Sequence, residues 1–158
     1  MSRSRQGRKK MDPRAVWPQP VPREEREEVL GYLEARFGIP SSTFEGYELL
    51  RTAKNYWLFV RTPHLADLQR LRIQTAGLLF LRKVSEYLKP TSAALQRFGH
   101  LATRNVVELD RLTLDRLRLE RKIPWEGKVE PGYVILTCEG RIWGCGLHLP
   151  GKLISYLP

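Results

Sequence analysis

The chain has 158 residues, enough for one domain of ordinary size or two small ones of about 70 residues each. Its 42% hydrophobic content supports a core, yet no apolar run approaches the roughly 18–20 residues that span a bilayer, which excludes a helical membrane protein. A net charge of +10 disfavours cationic ligands and points to a polyanion, because Lys and Arg that neutralise phosphates release condensed counterions.

Residues 1–22 carry Arg3, Arg5, Arg8, Lys9, Lys10 and Arg14 against Asp12 alone, which is half of the excess charge. With four prolines and little apolar content, this segment cannot offset its ordering entropy and is expected to be a disordered basic arm. It would fold on RNA or act as a solubilising tail. No apolar stretch follows the basic residues, so neither a signal peptide nor a presequence is expected.

Pro22 and the acidic Glu24, Glu25, Glu27 and Glu28 open a helix whose apolar stripe is Val29, Leu30, Tyr32, Leu33 and Phe37. Gly38 and Pro40 stop it. Tyr47–Thr52 and Tyr56–Arg61 read as a hairpin joined through Ala53-Lys54-Asn55. A short helix is expected over 64–70. The apolar run from Gly77 has no diagnostic period, and a strand ahead of Arg82 is favoured. Lys89-Pro90-Thr91-Ser92 breaks the pattern and marks the expected boundary between two small domains, 23–88 and 89–158. Thr91 should cap a helix through Phe98.

Further on, Asn105–Leu109 reads as a strand and Leu112–Arg121 as a helix. That helix alternates Arg111, Arg116, Arg118, Arg121 and Lys122 with Asp110, Asp115 and Glu120, a pattern that reads first as a salt-bridged exposed face. The last 27 residues are rich in β-formers, with Glu139-Gly140 as the tight turn of a hairpin. If Cys138 and Arg141 flank the turn, Leu136 faces Trp143, Ile135 faces Gly144, Val134 faces Cys145 and Tyr133 faces Gly146. Val134, Leu136, Trp143 and Cys145 then share an apolar face. The other face sets Tyr133 and Ile135 against two glycines, which marks a barrel corner or a surface that a ligand approaches.

Chemistry is sparse. There is no glycine-rich dinucleotide loop, no Walker A sequence and no Gly-x-Ser-x-Gly elbow. Cys138, Cys145 and His148 have a spacing that matches no tetrahedral metal site, and His64 and His100 read as turn residues. Trp57, Phe59 and Trp143 read as core aromatics. The expectation is a protein without catalytic residues, cofactor or metal. In the register above Cys138 and Cys145 share a face of the strand pair without being directly opposite, so no disulfide is expected, which agrees with a reducing, cytoplasmic location.

The run Gly132-Tyr133-Val134-Ile135-Leu136, followed by Gly140, Gly144-Cys145-Gly146, Gly151-Lys152-Leu153 and Pro158, resembles a PUA-like RNA-binding domain. Such domains, named for pseudouridine synthases and archaeosine transglycosylases, stand at the C-terminus of RsmF/Sun-type RNA cytosine-C5 methyltransferases and in stand-alone ribosome-biogenesis factors. The resemblance covers roughly residues 88–158. It departs from the methyltransferase tail at Leu153-Ile154-Ser155, where that family usually carries Leu-Lys-Asn.

The resemblance implies an α+β chain, with a small N-terminal α/β domain followed by a PUA-like mixed β-barrel. It also implies non-catalytic binding of structured RNA, rRNA or tRNA, as an accessory factor in ribosome biogenesis or RNA modification. RNA surfaces combine phosphate-tracking cations with flat side chains on which bases stack. Arg104, Lys128, Arg141 and Lys152, with Tyr133 and Tyr156, are the expected contacts in the folded part, and Arg3, Arg5, Arg8, Lys9 and Lys10 those in the arm. Beside RNA, the expected partners are an RNA-modifying enzyme or a pre-ribosomal particle, with no membrane. Two other readings stay open: an RNA-binding subunit or separated C-terminal part of a modifying enzyme such as a methyltransferase, and a protein–protein adaptor that docks a partner strand on the glycine-faced sheet.

Overall fold

In the computed structural model, which describes residues 18–62 and 77–158, the chain is an α+β structure with two five-stranded sheets. The arginines and lysines of the basic arm and the helix expected over 64–70 lie outside the described residues. The part of the arm that is described contributes an edge strand, β1 (Gln19–Pro20), paired with Leu50 and Arg51. Prolines fit there because an edge residue can leave its N–H side without a partner.

Helix α1 (Arg23–Phe37) buries Val29, Leu30, Leu33 and Phe37, which recur on one helical face. It ends because Gly38 adopts φ 73° and returns its N–H to the Glu34 carbonyl at 2.8 Å. The hairpin β2 (Tyr47–Arg51) and β3 (Asn55–Val60) follows as expected. β4 (Leu78–Val84) and β5 (Tyr87–Pro90) complete the sheet in the order β1-β2-β3-β4-β5. All four pairings are antiparallel, so the N-terminal part is a meander carrying a helix and not the α/β unit expected, which needs parallel strands.

Thr91 caps α2 (Ser92–Phe98) by accepting from the Ala94 N–H at 3.1 Å, while its hydroxyl donates to the Leu79 carbonyl at 2.6 Å. After β6 (Val106–Glu108), Asp110 caps α3 (Arg111–Glu120) through the Thr113 N–H at 2.7 Å. β7 (Lys122–Pro124), β8 (Gly132–Cys138), β9 (Arg141–Leu149) and β10 (Lys152–Ser155) complete the second sheet, in the order β6-β8-β9-β10-β7. β6 and β7 are three-residue strands at opposite edges and do not pair with each other, so the sheet stays open and the expected barrel is not closed.

The second sheet is buried on both faces. Tyr133, Ile135 and Cys145 join α1, α2 and the first sheet in one core, which runs without a break across the expected boundary at Lys89. Val134, Leu136 and Cys138 point the other way into a second core with Leu114 and Leu117 of α3. This explains the unbroken apolar run in β8, since a strand covered on both sides gains from apolar residues at every position. The C-terminal carbonyls of α1 reinforce the join. Thr103 and Arg104 donate backbone N–H groups to the Phe37 carbonyl, and Asn105 donates its side-chain amide to that of Arg36.

The hairpin register differs from the simple expectation. Glu139 and Gly140 do form the turn, both with positive φ, and Cys138 faces Arg141. Beyond Thr137 and Ile142, however, Leu136 faces Gly144, so Trp143 is the extra residue of a β-bulge. Every later pair shifts by one: Ile135 faces Cys145, Val134 faces Gly146 and Tyr133 faces Leu147. Cys138 and Cys145 therefore lie in different cores instead of sharing a face. Close packing requires both glycines. A Cβ on Gly144 would come within 2.3 Å of Ser92 Oγ, and one on Gly146 within 3.0 Å of the Ile154 carbonyl oxygen and the Leu136 methyls. The space beside the two glycines is thus taken by Ser92 and Leu157 at Gly144 and by Leu136 at Gly146.

Candidate nucleic-acid interface

The bulge decides where the chain presents cations beside an aromatic face. Trp143, displaced from the ladder, lies half-buried against the second core. Three guanidinium carbons stand over its indole, those of Arg141, Arg118 and Arg111 at 5.0, 5.1 and 5.4 Å from the ring centroid. Arg111 and Arg118 project from the same side of α3 because they are seven residues, about two turns, apart. Arg141 enters from the first position of β9. Each can gain about 0.5–1 kcal/mol from the ring quadrupole at an exposed site.

Charge compensation there is incomplete. Arg111 pairs with Asp115 at 3.4 Å, whereas among the described residues Arg118 and Arg141 make no ion pair. The neighbouring cations are engaged: Arg116 of α3 pairs with Glu120, and Arg121, just past the helix, donates to the Leu157 carbonyl at 2.7 Å. Two exposed leucines, Leu112 and Leu119, flank the cluster on the same helix. Such a surface offers guanidinium forks for phosphate oxygens and an apolar, aromatic floor for a base or sugar.

The residues expected from sequence are dispersed. Arg104 donates to the Glu34 carbonyl at 2.8 Å and so caps α1. Tyr133 is buried, with its hydroxyl pushed up by that burial, and its ring meets Tyr156 at 6.2 Å. Tyr156 is half-exposed, and the Lys89 ammonium sits 3.4 Å from its ring centroid. Lys128 is exposed in the loop before β8, and Lys152 is half-buried at the start of β10. Arg141 joins the tryptophan cluster. The sequence pattern alone places Trp143 in the core and Arg111 and Arg118 on a salt-bridged face, whereas the structure brings the three together. The seven-residue spacing of the two arginines was a visible signal, but the bulge that brings Trp143 beneath them was not.

Three arginines around one indole, one of them paired with Asp115, thus stand together on an α+β scaffold. Over 141 residues, 88% of its length, the chain is 27% identical to the ribosomal RNA small subunit methyltransferase F of Aeromonas salmonicida (strain A449). A match of that length takes in residues on both sides of Leu88. The chain spans 28% of that relative's length. No family model matches it.

Proposed function

We propose that the chain is a non-catalytic RNA-binding unit, PUA-like in its C-terminal half, that holds structured RNA, rRNA or tRNA, for modification or ribosome assembly. The observation that carries this reading is the arginine cluster on Trp143, where Arg118 and Arg141 converge without an ion-pair partner among the described residues. Three like charges around one ring repel one another, and a phosphodiester placed among them relieves that repulsion while releasing counterions. The net charge of +10 supplies long-range attraction in the same sense.

The test is binding of the full chain to a small-subunit rRNA transcript across a salt series, with a DNA duplex as control. Arg118→Gln/Arg141→Gln is expected to weaken RNA binding at least tenfold and to flatten the salt slope by about 0.7 for each lost phosphate contact on a single strand. An unchanged slope, or equal binding of the DNA duplex, overturns the assignment.

The 28% coverage of the methyltransferase favours a second form of the same reading, in which the chain works as the RNA-holding segment of a larger modifying enzyme or beside a separate catalytic subunit. The chain alone should then transfer no methyl group from labelled S-adenosylmethionine to rRNA. Transfer by the isolated chain would refute the non-catalytic part.

A further inference from the structure

A second cation cluster lies on the side of the first core, in a cleft of about 330 Å³ between the β4–β5 hairpin and the C-terminal residues. Arg82 and Lys89 are direct cross-strand partners there. Like charges in that arrangement destabilise a sheet. Among the described residues, no carboxylate side chain lines the cleft and neither cation makes an ion pair. Lys89 is half-buried and its ammonium is pushed below the usual lysine range, first by that burial and then by Arg82, with Cys145 opposing. Two directly opposed cations, of which Lys89 is half-buried and Arg82 exposed, gain when an anion joins them.

The remaining walls narrow the choice of anion. Tyr156 offers a half-exposed ring beside Lys89, and the Thr91–Ser92 segment borders the cleft. Its volume lies at the lower end of the roughly 300–1,000 Å³ typical of small-molecule sites, which suits one nucleotide and not a longer ligand. We infer that this cleft takes a phosphate-bearing nucleotide, its phosphate between Arg82 and Lys89 and its base or sugar against Tyr156. The nucleotide can be free or one unit of an RNA strand. The RNA-binding reading bears only on that source, since the cleft shares no lining residue with the Trp143 cluster.

The experiment titrates the full chain with inorganic phosphate, uridine 5′-monophosphate and a ten-nucleotide oligouridylate while following backbone amide NMR shifts. The expected result is that uridine monophosphate moves the amides of Leu79, Lys89, Ser92 and Tyr156. Lys89→Gln and the more exposed Arg82→Gln should each weaken that binding at least fivefold, and Arg118→Gln/Arg141→Gln should leave it unchanged. Tyr156→Leu should weaken the mononucleotide more than inorganic phosphate. A gain of tenfold or more for the oligonucleotide, lost with Lys89→Gln, assigns the site to an RNA strand; equal affinity per phosphate assigns it to the free nucleotide. Shifts that ignore both cation substitutions, or that map to the Trp143 cluster instead, overturn the inference. Loss of oligonucleotide binding in the Arg118/Arg141 variant with the mononucleotide shifts intact separates the two sites.

Discussion

Two aromatic residues of this molecule, Tyr56 in the first sheet and Trp143 in the second, are each set among several charges, yet the two clusters are balanced in opposite ways. Around Tyr56, the hydroxyl donates to Glu25 Oε1 at 2.7 Å, Arg51 pairs with the same carboxylate at 2.8 Å, and the Lys83 ammonium lies 4.9 Å from the ring centroid. The carboxylate answers the cations, and the neighbouring cleft adds Glu24, Glu28 and Glu86. Around Trp143, among the described residues, Asp115 pairs with Arg111, and Arg118 and Arg141 make no ion pair. The same ingredients therefore serve two ends. Compensated, they tie α1 to the sheet; uncompensated, they leave a positive field that a polyanion can complete.

The largest expected effect tests how Trp143 is presented. Gly144 has φ 147° and packs on Ser92, so Gly144→Ala meets a disfavoured backbone conformation and a Cβ contact at 2.3 Å. A destabilisation of about 2–4 kcal/mol is expected, read by denaturant unfolding. Ser92→Gly in the same chain should recover part of it by removing the obstructing side chain. A loss under about 0.5 kcal/mol, the range of an ordinary surface substitution, would show that the bulge does not depend on this contact.

Removing the compensation at Tyr56 is a milder change. Burial raises the Glu25 carboxyl, but hydrogen bonds from Tyr56 and Arg51 and the charges of Arg51 and Lys83 outweigh it, leaving the group below its ordinary 4.5. Because the folded value is depressed, the stabilisation is present above the ordinary carboxylate value and is lost as pH falls through the folded one. Glu25→Gln should cost about 1 kcal/mol at neutral pH, since Arg51 is half-exposed and its ion pair is screened. The variant should also lose the corresponding part of the acid dependence. It leaves Arg51 and Lys83 uncompensated, so a small rise in RNA affinity at low salt is the further expected sign. An unaltered acid limb would break the comparison between the two clusters.

Much of the fold could be read from local pattern. α1 announces itself by Pro22, its glutamates and Gly38, and Thr91 and the Glu139-Gly140 turn stand where residue chemistry places them. What could not be read depends on contacts distant in sequence. The bulge at Trp143 stands beside a contact of Gly144 with Ser92, 52 positions away, and one extra residue exchanged the two faces of β9. Arg104 looked like a free cation because its acceptor, the Glu34 carbonyl, belongs to a helix end 70 residues earlier. β5 was hidden because Lys89-Pro90 reads as a break, although an edge strand can hold Pro at its end.

The exchange of faces has a thermodynamic signature of its own. Cys145 turned inward to the first core is 1% exposed, and burial pushes its thiol up to about 12 from 9.0, against the opposing charge of Lys89. A thiol with a raised folded value ionises more readily in the unfolded chain. Stability is therefore untouched below the unfolded value near 9 and declines as pH rises from there towards 12, by at most about 1.4 kcal/mol per pH unit. Cys145→Ala should flatten that alkaline decline relative to the parent while lowering stability at neutral pH through the lost packing. Equal alkaline slopes in parent and variant would mean that Cys145 is not shielded in the folded chain. The bulged register, which alone turns it away from Cys138 and into the core shared by both sheets, would then be wrong.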